Sequence, residues 1–165
     1  MTHADWESTI NNNNDTLNTL KRKVAECFIF ATQKMGKNPR AEILPEFYYV
    51  PVSELMEGKP VMFKPFIAGQ KNGKILVCQD LLKDTVKELK RHSDAFIDAF
   101  IQGMVLHEVL HHVFRHKSDT KEQMQIAEKE VHSWMKENAP TLEKIFNLVM
   151  DDIVEFIQLW YIKRS

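Results

Sequence analysis

The chain holds only two cysteines in 165 residues, Cys27 and Cys78, and neither belongs to a CxxC pair. That scarcity excludes a disulfide framework and fits a reducing cytoplasm. Long apolar runs are missing too: no stretch approaches the ~20 residues needed to span a bilayer. The N-terminal segment lacks the apolar core of a signal peptide. The expected location is therefore cytoplasmic, with no membrane partner. Net charge is also scarce. Lys and Arg total 22 against 23 Asp and Glu, a formal balance of -1. Such a surface has no broad basic field to attract nucleic acid. Internal repeats and a domain boundary are absent as well. The apolar fraction of 44% is enough for one real core in a chain of this length.

What the chain does have is histidine. There are seven, and His107, His111, His112 and His116 fall within ten residues. His107-Glu108-Val109-Leu110-His111 reads H-E-x-x-H, the spacing of a zinc-binding helix. Residues four apart on a helix sit one above the other, so His107 and His111 offer two imidazoles to one ion. Glu108 lies about 100° round the helix from His107. From there a carboxylate can act as general base without ligating the metal. The segment from Phe96 to Leu106 is mostly apolar, with Asp98 and Gln102 as exceptions. The motif helix is thus expected to be buried, and buried His and Glu must find partners. The competing reading is a solvated helix end.

Taken in order, residues 1–14 are polar and read as a disordered tail, with residues 15–165 forming one domain. Leu17, Leu20, Val24, Cys27, Phe28 and Ala31 predict a first amphipathic helix to about Met35. Phe47 to Val52, Val61 to Ile67 and Lys74 to Gln79 are strand candidates, the first two interrupted by prolines. Asn72-Gly73 is a hairpin signal. The expected fold class is α+β, a small antiparallel sheet against a mainly helical domain with the H-E-x-x-H helix at its centre. Helices follow over Asp80 to Arg91, from a cap at Ser93 or Asp94 to about His116, over Lys121 to Glu137, and from Pro140 to about Lys163. His132 and His92 read as surface residues, and His112 as packed or solvated. Gly103 could admit a backbone or substrate near the metal, or allow close helix packing.

The segment Val105 to His116, with histidines at 107, 111 and 116, resembles the H-E-x-x-H metallopeptidase domain of bacteria and phages that often accompanies von Willebrand factor A-like proteins. Asn147-Leu-Val-Met-Asp151-Asp-Ile-Val-Glu155 is similar to that family's second motif, with departures at Val149 and Glu155. More broadly the chain resembles compact gluzincin-type zinc peptidases. The resemblance implies a zincin-like fold, Zn(2+) as cofactor, a peptide or protein substrate and hydrolysis of its peptide bond. A catalytic zinc needs three protein ligands, and the motif supplies two. Asn147, Asp151 and Glu155 are four apart and share one face of the last helix. Asp151 is the expected third ligand, with Glu155 as nearest rival and His116 and Asp152 behind. His116 could join only if the helix unwinds by Arg115, since a regular helix places it opposite His107.

Two other classes stay open. One is a non-catalytic, metal-stabilised interaction protein. The other is a metal hydrolase of non-peptide bonds, for which Cys78 would be the ligand to watch by analogy with peptide deformylases. Lys74 to Gln79 is expected to be the edge strand beside the cleft, where an extended substrate could add by main-chain pairing.

Overall fold

A computed structural model of the chain describes residues 6–51, 67–71, 73–117 and 119–164. Its elements run α1 (Trp6–Thr9), α2 (Asn13–Lys34), a 3-10 turn at Pro39–Ala41 and β1 (Glu46–Val50). Then come β2 (Ala68–Lys71), β3 (Lys74–Cys78), α3 (Gln79–Glu88), α4 (Asp94–Val113), α5 (Lys121–Asn138) and α6 (Pro140–Arg164). No helix among the described residues is long and apolar enough to cross a membrane.

Helix α4 carries the H-E-x-x-H motif and is the centre of the fold. Ser93 caps it, its hydroxyl oxygen accepting from the Phe96 amide, so one of the orphan donors of the first turn is satisfied. Ile97, Phe100, Ile101, Met104, Val105, Leu106, Val109 and Leu110 are all buried. With apolar residues on every side, the helix has to be covered all round, and α2, α6, β2 and α5 pack against it. Gly103 serves that packing. A Cβ there would lie 3.3 Å from the Leu142 carbonyl oxygen and 3.4 Å from Phe146 Cβ on α6.

The sheet is mixed, not antiparallel, with strand order β1-β3-β2. β2 and β3 form the hairpin that Asn72-Gly73 announces, with Gly73 at φ 79. β1 pairs with β3 in parallel, Glu46 opposite Lys74 and Val50 opposite Cys78. Residues 51–73 separate the two strands, room enough for the crossover that parallel pairing requires. β3 therefore lies at the middle of the sheet with both edges paired. The substrate-adding edge role expected for Lys74 to Gln79 is ruled out. The strand expected over Val61 to Ile67 falls outside the described residues except for Ile67, which is buried just before β2.

The N-terminal expectation also needs correction. Among residues 6–14, Trp6 is fully buried, and its indole N–H donates to Asp98 Oδ1 at 2.8 Å. Asn12, in the run expected to be mobile, caps α2 through its side chain. A polar composition hid one large apolar anchor and one good cap.

The last helix behaves as its pattern requires. Val149, Ile153, Ile157 and Trp160 are buried, and Leu142, Ile145, Phe146 and Phe156 pack partly buried against the core.

Candidate metal centre

His107 and His111 lie one turn apart on α4, and their Nε2 atoms are 3.2 Å from each other. A third donor comes from α5. Glu128 Oε1 lies 3.0 Å from His107 Nε2 and 2.8 Å from His111 Nε2. The three contacts cannot all be hydrogen bonds. A carboxylate oxygen only accepts. If both imidazoles carry a proton on Nε2, two N–H groups face each other. If only one does, the other lone pair faces the oxygen. With Glu128 ionised, every protonation state of the two imidazoles leaves one repulsive edge in the triangle, whereas one cation satisfies all three donors. Zinc bonds of ~2.0–2.1 Å in a tetrahedron separate the donors by about 3.3 Å. The observed triangle is slightly tighter than that, and its donor chemistry fits a borderline divalent ion.

The surroundings hold these donors in place. His107 is buried and stacks on Phe146, ring centroids 5.4 Å apart and 19° between planes. Its Nδ1 is buried with no hydrogen-bond partner among the described residues. His111 Nδ1 lies 2.9 Å from His116 Nδ1, and His116 Nε2 lies 3.1 Å from Glu130 Oε2. One tautomer set satisfies this chain. His111 donates from Nδ1, His116 accepts there, and His116 donates from Nε2 to the Glu130 carboxylate. It leaves the His111 Nε2 lone pair free for a metal, the arrangement by which outer partners orient ligating histidines.

On the other side of Glu128 stands His132, one turn along α5, with Nε2 3.4 Å from Glu128 Oε2. Its Nδ1 is 2.7 Å from Glu143 Oε1, which also accepts from the Asn147 amide at 3.0 Å. Burial works against a charged Glu128, but the bonds from His107, His111 and His132 outweigh it and hold the carboxyl well below the usual range. His132 is pushed up to about 9, chiefly by Glu128, against the opposing effect of burial and with added help from Glu143.

Measured against expectation, the structure brings His107 and His111 together and buries Glu108 beside them. It does not bring Asp151. Asp151, Asp152 and Glu155 are exposed on α6, because burying Val149, Ile153 and Ile157 turns that polar stripe to the solvent. Asp152 instead faces Arg91 at 3.9 Å. The carboxylate that lies beside His107 and His111 is that of Glu128. Cys78 is buried at the end of β3 and is not among the gathered ligands. His116 does swing back towards the motif, since α4 ends at Val113 and Arg115 takes φ 58. It arrives at Nδ1 of His111, not at the Nε2 that faces His107 and Glu128. His132 is not a plain surface residue but part of the cluster. A cavity of about 260 Å³ lies on the His116 side, lined in part by Gln70, Gly73, His112 and Arg115.

Glu128, His132 and Glu143 were missed in the sequence. A signal existed: Glu128 and His132 are four apart on one helix, the same spacing trick as the motif itself. On sequence alone His132 reads as a surface residue, and Lys121 to Glu137 as a polar helix with a thin apolar stripe. Comparison with known proteins found no matching family model, no similar curated protein and no similar solved structure.

Proposed function

We propose that the chain is a metal-dependent hydrolase of the zinc-peptidase type, with His107, His111 and Glu128 as its metal ligands. The observation that carries this reading is the donor triangle of two Nε2 atoms and one carboxylate oxygen, none more than 3.2 Å apart. A divalent ion bound there would act as a Lewis acid and make a water acidic enough to serve as nucleophile near neutral pH. Glu108, next to His107 on α4, would serve as the general base, taking a proton from water and giving it to the leaving amine. Phe146 and the buried wall of α4 restrict solvent around His107. Glu128, with 43% of its side chain exposed, leaves one side of the centre open to a substrate. A peptide is the substrate class favoured by the motif and its accompanying glutamate.

The test begins with the metal. Protein purified without chelator should contain about one divalent transition metal per chain, and His107→Ala with His111→Ala should contain none. Equal metal content in the two proteins would end the proposal. Hydrolysis of a fluorogenic peptide library then follows, with Glu108→Gln as control. That variant should keep the metal and lose turnover. If wild type and Glu108→Gln are equally inert while both bind metal, the centre is non-catalytic and serves folding.

A further inference from the structure

Two pairs of potential ligands face each other across α4 and α5. His107 and His111 are one turn apart on α4, and Glu128 and His132 are one turn apart on α5. The triangle described above uses three of the four. His132 shares two members of that triangle: one donor atom each from His107, Glu128 and His132 lie within 4.8 Å of one another, with His132 on the Oε2 side of the carboxylate. The rings of His107 and His132 are 5.0 Å apart at 60°, nearly as close as those of His107 and His111 at 4.8 Å.

His132 also has the outer support of a ligating histidine. Such residues typically give their second ring N–H to a carboxylate, which fixes the tautomer and makes the free nitrogen more basic. Glu143 is placed for this, with Oε1 2.7 Å from His132 Nδ1. Its position is fixed in turn. It lies in the first turn of α6, where a carboxylate is favoured by the helix dipole, and Asn147 donates to the same oxygen. Glu143 is only 7% exposed, and its Oε2 has no hydrogen-bond partner among the described residues. A buried carboxylate so placed needs positive charge nearby. A divalent ion would supply that charge to Glu128 and Glu143 together.

We propose that His132, held by Glu143, is a fourth protein ligand of this centre and closes it in the resting state. The inference rests on the metal centre proposed above and sets its regulation. Four protein ligands make a closed site, whereas hydrolysis needs an open position. Turnover then requires His132 Nε2 to leave the ion, while Glu143 keeps its hold on the Nδ1 side of the ring. The ligand set is thus two helix-borne pairs, and its integrity couples the spacing of α4 and α5 to reactivity.

X-ray absorption of the full zinc-loaded chain decides the matter by counting imidazoles. Three are expected in the wild type and two in His132→Ala. Affinity measured against a chromophoric chelator gives a second readout. His132→Ala should lose more than the roughly 10–100-fold that loss of an outer partner costs, and Glu143→Gln should fall within that range. Two imidazoles in the wild-type spectrum overturn the fourth ligand and leave the three-ligand centre standing. A wild type that binds no zinc overturns both. If His132→Ala fails to fold, the wild-type spectrum alone still gives the answer.

Discussion

His111 and His116 touch ring to ring, Nδ1 to Nδ1 at 2.9 Å, although five residues on a regular helix would hold them well apart. The contact exists because α4 ends in a Schellman turn. The His116 amide bonds back to the His111 carbonyl and the Arg115 amide to that of His112, both at 3.0 Å. Removing the ring removes the partner that fixes the tautomer of His111. His116→Ala should therefore weaken metal binding roughly 10–100-fold, with the fold intact by circular dichroism. Chelator competition checks it, and unchanged affinity would show that His111 is oriented without help.

The same turn carries a conformational cost. Arg115 occupies φ 58, a left-handed conformation that β-carbon crowding makes unfavourable by about 1–2 kcal/mol and that glycine adopts freely. Glycine is the usual residue at this point of a helix end. Arg115→Gly should raise stability by up to about 1 kcal/mol once the extra freedom of the unfolded chain is subtracted. Urea denaturation with an unchanged m-value is the measurement. A loss of stability would mean that the arginine side chain contributes more than its backbone costs.

Local patterns and long-range placements differ in how far a sequence displays them. The burial of α4, the cap at Ser93, the Asn-Gly hairpin and the inward face of α6 all follow from neighbours within a few residues, so spacing reveals them. The parallel pairing of β1 with β3 does not, because it depends on the path of residues 51–73. The third donor escaped for a related reason. Asp151 and Glu128 both sit on amphipathic helices, and only the rotation of each helix against α4 decides which carboxylate meets His107. Trp6 is the sharpest case. One indole in a polar segment finds a buried carboxylate 92 residues away, and nothing near it in the chain announces this.

That carboxylate is the basis of the next prediction. Asp98 Oδ1 accepts from Trp6 and lies 2.9 Å from Lys23 Nζ, with the side chains of Lys23 and Asp98 only 6% and 11% exposed. The trio joins α1 and α2 to α4. Asp98→Ala leaves an ammonium buried without its counter-charge, a defect that typically costs about 3–5 kcal/mol. Chemical denaturation should show a loss of that order, and the Trp6 fluorescence should shift towards the solvent-exposed value. A change under ~1 kcal/mol, the scale of an exposed pair, would mean that water reaches Lys23 in solution.

The last prediction concerns alkaline pH. Cys27 is 3% exposed on the inner face of α2, and burial pushes its thiol from 9.0 up to about 12, with Lys23 opposing the effect slightly. Its Sγ lies 3.9 Å from the Gln102 carbonyl oxygen, so the protonated thiol keeps an acceptor that a thiolate could not use. The sign follows from proton counting. Between about pH 9 and 12 the unfolded chain has lost the thiol proton while the folded chain retains it. The folded state then binds more protons, and stability falls as pH rises. The limiting slope is about 1.4 kcal/mol per pH unit for one group. Stability measured from pH 8 to 11 should therefore decline less steeply in Cys27→Ala than in wild type, whatever the variant's absolute stability. Below pH 8 the two slopes should coincide. Iodoacetamide should label Cys27 only after denaturant unfolds the chain, because the reactive thiolate is scarce and shielded in the native state. Equal alkaline slopes, or rapid labelling of native protein, would place Cys27 in contact with solvent and remove the basis for its raised pKa.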